Sequence, residues 1–215
     1  MLARFSQRYL AFLCISCGVL LFSSCVPKKE TAVQTSQVIS KSEAVTKFVN
    51  GLTFEQQIGQ LFLVCTDGTA IDPVTGKDNV GGETCGTVPP GGYIIFRYNC
   101  TDDPVQVISL LGNIRTYYET QNQIQPYFSI DHEGGPVNRL SYLASPLPSQ
   151  QSVAKFLTAD LATEMYTYAA MQLHALGFQL NFAPVVEAQR DDNKKFLGLR
   201  SYGNLEQTVK YSEVT

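Results

Sequence analysis

The sequence predicts an α/β fold with a parallel sheet, on three observations. Short apolar runs of strand length recur along the chain, helical stretches with clear caps or an amphipathic face separate them, and the two kinds of segment alternate. Alternation in this order produces βαβ units, whose strands run parallel. Four such units suit half of a (β/α)8 barrel or a small doubly wound sheet, and periodicity alone does not choose between them.

Residues 1–25 precede that pattern and read as an export signal. Arg4 and Arg8 stand before an uncharged apolar run over 10–22, shorter than the ~20 residues that span a bilayer. The run ends in Leu21-Phe22-Ser23-Ser24-Cys25, which resembles a lipobox, the site where a cysteine is diacylated and becomes the first mature residue. Phe22 where Leu is usual leaves a plain signal peptide as the alternative. Residues 26–45 are rich in Thr, Ser, Gln and Lys and bury too little to order themselves, so they read as a polar tether. Residues 46–215 then form the folded domain. The expected location is a membrane, reached through the lipid on Cys25, with the domain facing the periplasm or the cell surface.

Composition supports one domain with a core: 215 residues, of which 44% are hydrophobic. Sixteen basic against nineteen acidic residues, a net charge of −3, give no electrostatic case for nucleic acid. Cys14 and Cys17 leave with the signal, and Cys65, Cys85 and Cys100 remain, without metal-ligand spacing. Two readings of these three stay open: one disulfide, with Cys85 joined to Cys65 or Cys100, or three buried free thiols.

Each element has a local reason. Thr53 with Gln56 is a capping box, opening a short helix. The apolar run 60–65 reads as a first strand buried on both faces, and 67–90, rich in Gly, Pro and Asp, as an irregular loop. A second strand covers 92–96. Val105, Ile108, Leu111, Ile114 and Tyr118 mark an amphipathic helix over 103–120. A third strand covers 126–131. The next long helix spans 158–176 and closes at Gly177, a fourth strand follows over 178–184, and Asn204 with Gln207 caps a last helix.

Chemistry-bearing residues gather where those strands end. Arg97 closes the second strand, Asp131 the third, and Glu187 with Arg190 follows the fourth, although surface strand ends are often polar in any case. The segment Ser129-Ile130-Asp131-His132-Glu133-Gly134-Gly135-Pro136-Val137-Asn138-Arg139-Leu140 says more. Two adjacent glycines let the backbone turn tightly beside a ligand, and a carboxylate near such a turn can accept the paired hydroxyls of a sugar.

This string resembles the Asp-Gln-Glu-Gly-Gly-x-Val-x-Arg-Leu signature of the β-N-acetylhexosaminidases of glycoside hydrolase family three, with His132 in place of Gln. The likeness runs in register over roughly 52–210. It includes Phe54-Glu55-Gln56-Gln57-Ile58-Gly59-Gln60-Leu61-Phe62, Gly92-Tyr93-Ile94-Ile95-Phe96-Arg97, Leu147-Pro148-Ser149-Gln150, the segment 176–185 and Gly198-Leu199-Arg200-Ser201-Tyr202-Gly203. It implies a partial (β/α)8 TIM-type barrel, about its first four βα units, and hydrolysis of terminal β-linked N-acetylhexosamine in cell-wall or chitin-type glycans. Asp131 would bind hydroxyls of the non-reducing sugar, Arg200 would reach the same subsite, and Arg139 would brace the loop through Glu133. Glu187 stands where the family usually has Asp, as a further sugar-binding group.

The family's nucleophile is an Asp after a late strand, and its acid/base a His in a Lys-His-Phe-Pro-Gly-His-Gly loop after the fifth. Neither stretch is found in this sequence, so no catalytic residue is assigned and the chain alone is expected to be inactive. His132, at the presumed mouth of the site and titrating near neutrality, is the one alternative acid. His174, inside a helix, reads as a surface or packing residue. No metal is implied, because His132-Glu133 lacks a second His four residues on, and no cofactor is needed. The expected partners are a glycan containing N-acetylglucosamine, the membrane, and a second copy of the chain pairing along open barrel edges. The competing readings are a non-catalytic sugar-binding lipoprotein and an inactive truncated remnant. A solute-binding lipoprotein, a third class, would not explain the Asp131 to Leu140 string. Labelled fatty acid should be incorporated by the intact protein and lost in Cys25→Ala; equal labelling of the two would refute the anchor.

Overall fold

The computed structural model describes residues 40–83, 85 and 88–215; the signal segment, Cys25 and residues 26–39 of the tether lie outside the described residues. The first element is α1 (Lys41–Asn50), so residues 41–45 of the stretch read as a tether are helical. Thr53 then caps α2 (Phe54–Gly59) reciprocally: Gln56 N donates to Thr53 Oγ1 at 3.2 Å, and Thr53 N to Gln56 Oε1 at 3.0 Å. The strand expected over 60–65 shrinks to β1 (Leu63–Val64). Helical turns run on through it, since Leu61 N donates to Ile58 O and Phe62 N to Gly59 O. Nor is the run buried on both faces: Leu61 is 78% exposed, and β1 has one sheet neighbour among the described residues.

The loop over 67–90 has more order than its composition predicts. Ile71 bridges Asp78 and Lys77 bridges Glu83, both antiparallel, and Asp78 Oδ1 accepts from Val80 N and Gly82 N. Ile71 is buried in the core, and Asn113 Nδ2 donates to its carbonyl at 2.9 Å. Cys65, Cys85 and Cys100 are three free thiols, which resolves the open choice, although Cys65 is exposed. Burial raises the Cys85 thiol and pushes Cys100 up to about 11, so both stay protonated.

β2 (Gly92–Ile95) and β3 (Tyr127–Ile130) form the centre of the sheet, in parallel register from Gly92↔Tyr127 to Ile95↔Ile130. Between them α3 (Pro104–Thr120) starts on Asp103, whose Oδ1 accepts from Val105 N at 2.9 Å. It buries Val107, Leu110, Leu111, Ile114 and Tyr118, whereas Val105 and Ile108 are exposed. Two apolar stripes fit this helix, and the sheet selects one. Tyr93, Ile95, Phe128 and Ile130 meet that stripe, and the Tyr93 and Tyr118 hydroxyls bond at 2.9 Å inside the core.

After β3 the chain forms a small antiparallel pair, β4 (His132–Gly134) and β5 (Val137–Asn138). Next come α4 (Gln150–Phe156) and α5 (Ala159–Leu176), closed by Gly177 at φ 104°. The fourth strand expected over 178–184 is β6 (Leu180–Asn181), lengthened at both ends by single bonds from Gln179 N to Phe128 O and from Phe182 N to Ile130 O. α6 (Lys194–Leu197) and α7 (Leu205–Ser212) follow, the latter on the Asn204 and Gln207 capping box. The sheet order is β1-β2-β3-β6, all parallel. A doubly wound sheet reverses its strand order at a switch point, whereas barrel strands continue in sequence. This order is therefore the barrel arrangement, the one the family resemblance implies. No described helix is long and apolar enough to cross a membrane.

Candidate sugar-binding site

Every loop at the C-terminal end of the sheet is tied down by a buried or half-buried side-chain amide. Asn99, wholly buried in the turn after β2, donates through Nδ2 to Thr66 O at 2.7 Å and Gly68 O at 2.8 Å, and accepts from Phe96 N at 2.9 Å. It joins the ends of β1 and β2. Asn181 of β6 grips the peptide of His132, accepting from its N at 2.9 Å and donating to its O at 3.2 Å. Gln150, at the start of α4, does the same to Val185 at 3.0 and 3.2 Å. Sequence reasoning gave none of these amides a role, although Gln150 and Asn181 both fall inside segments that carry the family likeness.

The two glycines set the hairpin against α4. Gly134 at φ 88° and Gly135 at φ 53° adopt left-handed backbone. A Cβ on Gly134 would meet the Pro148 carbonyl, and one on Gly135 the Ser149 side chain. Gly135 N donates to Leu147 O at 2.9 Å, so the hairpin is hydrogen-bonded to the segment that starts α4. This fixes the three residues between β3 and the turn.

Asp131 and Glu133, on either side of His132, are each held by an arginine, but the pairing differs from the expected one. Arg139 does not brace Glu133: its Nη2 lies 3.4 Å from Asp131 Oδ2. Glu133 is instead gripped by Arg200, Nε to Oε2 at 2.9 Å and Nη2 to Oε1 at 2.7 Å. The hydrogen bonds to Glu133 raise the Arg200 pKa, and the Asp131 charge adds to that shift. Arg200 is brought there by the loop after β6, where Ser201 Oγ donates to Glu187 O at 2.6 Å and Gln189 N to Gly203 O at 2.7 Å. The Glu187 carboxylate binds within that loop, to Asn193 Nδ2 at 2.7 Å and Arg190 Nη2 at 3.5 Å. It is exposed and shows no contact with Asp131 or the two arginines. Arg97 bonds to Cys100 O at 2.6 Å and Asp102 at 3.2 Å, with its guanidinium 4.8 Å from the Tyr142 ring centre.

His132 is not at the mouth of the site. It lies between Asp131 and Glu133, is 2% exposed, and its Nδ1 is buried without a partner. Burial lowers its pKa to about 4, so the ring is neutral at pH 7 rather than titrating there. His174, on α5, is exposed.

These placements separate two ion pairs by burial. The Asp131 side chain is 24% exposed and Arg139 29%, whereas Glu133 is 5% exposed under Arg200. Arg200→Ala should therefore destabilise the fold by ~2–4 kcal/mol, because it strands a buried carboxylate, and Arg139→Ala by ~1 kcal/mol or less. Urea unfolding of both variants checks this, and equal losses would refute it. His132 adds a pH dependence. The unfolded chain takes up its proton near pH 6.5 and the folded chain only near pH 4. Its contribution thus leaves stability unchanged above pH 6.5 and removes roughly 3 kcal/mol between there and pH 4. In His132→Gln the urea midpoint should fall less steeply across that window; a slope identical to wild type would refute the assignment.

Known proteins share this arrangement of sequence and fold. The family described as "Glycosyl hydrolase family 3 N terminal domain" matches residues 53–213. A β-hexosaminidase of Tolumonas auensis is 34% identical over 117 residues, covering 53% of this chain and 33% of that protein. A β-hexosaminidase of Pseudomonas aeruginosa is 35% identical over 100 residues, 45% of this chain and 28% of its own length. The structure of a glycoside hydrolase family 3 β-N-acetylglucosaminidase from Paenibacillus superposes with a TM-score of 0.66 at 28% identity, over 74% of this chain and 29% of that one. The chain spans about a third or less of the length of these relatives. With the family matched across residues 53–213 and the parallel sheet in barrel order, the chain belongs to glycosyl hydrolase family 3, through its N-terminal domain.

Proposed function

We propose that this chain supplies the sugar-recognition part of a β-N-acetylhexosaminidase site, for terminal β-linked N-acetylhexosamine of cell-wall or chitin-type glycans, and that it binds without cleaving when alone. The observation that carries this reading is the Asp131 carboxylate, standing half-exposed at the end of β3 with Arg139 beside it. An ionised carboxylate accepts from two neighbouring hydroxyls at once, and the hairpin, Asn181 and Arg139 hold it in place before any ligand arrives. Arg200, locked on Glu133, supplies a cation beside it.

Binding without cleavage is supported by the state of the other groups. Retaining hydrolysis uses a nucleophile and an acid/base facing each other across the scissile bond. Among the described residues at this site, Glu133 is bound by Arg200 through both oxygens, Asp131 pairs with Arg139, and His132 is buried and neutral. The lipobox-like segment supports an anchored location at a membrane. Leu61 and Phe62 before β1, and Leu180 and Phe182 around β6, are exposed and support self-association along the sheet edges.

N-acetylglucosamine titrated against the full chain should bind, and Asp131→Asn should weaken it by about tenfold, the cost of a lost charge-assisted hydrogen bond. A chromogenic N-acetylglucosaminide should remain intact in the same sample. Unchanged affinity in Asp131→Asn would overturn the subsite, and turnover that survives purification but is lost in that variant would overturn the binding-only reading.

A further inference from the structure

A row of contacts carries the site past Asp131. Arg139, whose Nη2 reaches Asp131, also lies with its guanidinium carbon 5.7 Å from the centre of the Phe96 ring. Phe96 in turn stacks on Tyr98, with centroids 5.6 Å apart and planes 15° from parallel. Phe96 and Tyr98 directly follow β2, so the row crosses the C-terminal end of the sheet from β3 to β2. Its last member is held at further points. The turn that carries Tyr98, residues 97–99, is fixed by the Asn99 amide.

Tyr98 is nonetheless 53% exposed. Phe96 stacks on one face of its ring, which leaves the opposite face to carry that exposure. A surface tyrosine ordinarily samples several rotamers and loses that freedom when it binds something. This one is held beforehand by the Phe96 stack and by the turn that the Asn99 amide ties to the segment after β1, the condition under which an exposed ring adds most to affinity.

We propose that the outer face of Tyr98 is a second sugar subsite, which takes the pyranose ring next along the glycan from the one at Asp131. The inference deepens the reading of Asp131 as a hydroxyl-binding group and rests on it. In a β-linked, glucose-configured hexosamine the ring substituents are equatorial, so axial C–H bonds make the ring faces apolar. Such a face meets the negative face of an aromatic ring, whereas the equatorial edge carries the hydroxyls and acetamido group that hydrogen-bond. The row offers both kinds of surface in sequence: a carboxylate and a guanidinium at Asp131 and Arg139, then a ring face at Tyr98. A glycan lying across it would be read by its edge at the first position and by its face at the second.

Ligand-observed NMR titration of the full chain with N-acetylglucosamine and with its β-1,4-linked dimer tests this. The dimer should bind wild type ~3–10-fold more tightly than the monomer, the range expected of one aromatic stack. The axial protons of one of its rings should shift upfield. Tyr98→Ala should abolish both the advantage and the shift while leaving monomer affinity within about twofold of wild type. Tyr98→Phe, which keeps the ring, should retain most of each. If the monomer binds but the dimer gains nothing, or if Tyr98→Ala weakens both sugars alike, the second subsite is refuted and the reading of Asp131 stands. If neither sugar binds wild type, the reading of Asp131 falls and takes this inference with it.

Discussion

Parallel strands as short as β1 and β6 leave most of their flanking backbone groups to find partners outside the ladder. In this protein those partners are side-chain amides. Asn99 accepts and donates across the ends of β1 and β2, Asn181 takes both polar groups of the His132 peptide, and Gln150 takes both of Val185. An amide side chain is the one neutral group that reproduces a peptide's own donor and acceptor. It therefore serves as an extra rung of sheet wherever the backbone has turned away. Removing such a group buries its partners unpaired, which costs more than the bond itself is worth. The loops that carry the site depend on these rungs more than on the strands.

The charged groups are arranged on that framework by burial. After β3, His132 is buried, and Asp131 and Glu133 on either side of it are taken by the two arginines. The deeper carboxylate receives the bidentate guanidinium, where a fork of parallel bonds offsets the loss of water. The shallower one keeps a single contact at 3.4 Å, and so retains capacity to accept from something else. Structural support and availability for a ligand are thus divided between two neighbouring carboxylates. The division follows from depth, with no difference needed in their chemistry.

The same rim is bordered by rings as well as charges. Tyr142 lies under Arg97 and Phe96 under Arg139, and Tyr98 stacks on Phe96. Guanidinium over aromatic ring recurs here at 4.8 and 5.7 Å, which orients both partners. A site assembled this way presents flat apolar faces and hydrogen-bonding groups side by side, the two surfaces that a pyranose ring itself alternates.

Local signals in the sequence determined the elements whose causes are local. The Thr53 and Asn204 capping boxes, the Asp103 and Thr158 caps and the Gly177 stop all act within a turn of their own residues. The strands at 92–95 and 127–130 were legible from their apolar runs, and the Asp131 to Leu140 string marked the candidate site and the family. Other features depended on which neighbour arrives. Apolarity marked 60–65 as a buried strand, yet the preceding helix consumed half of it and, among the described residues, a single strand pairs with it. Either of two stripes on α3 could have faced the sheet, and packing selected the one through Val107 and Leu110. The partners of Arg139 and Arg200 could not be read from spacing, because Glu133 and Arg200 meet across 67 residues. Barrel order rather than a doubly wound sheet was likewise a tertiary outcome, since identical βα units serve both. Caps and periodicity act over a few residues, whereas burial depth, ion-pair choice and strand order are set by groups brought together only when the chain closes on itself.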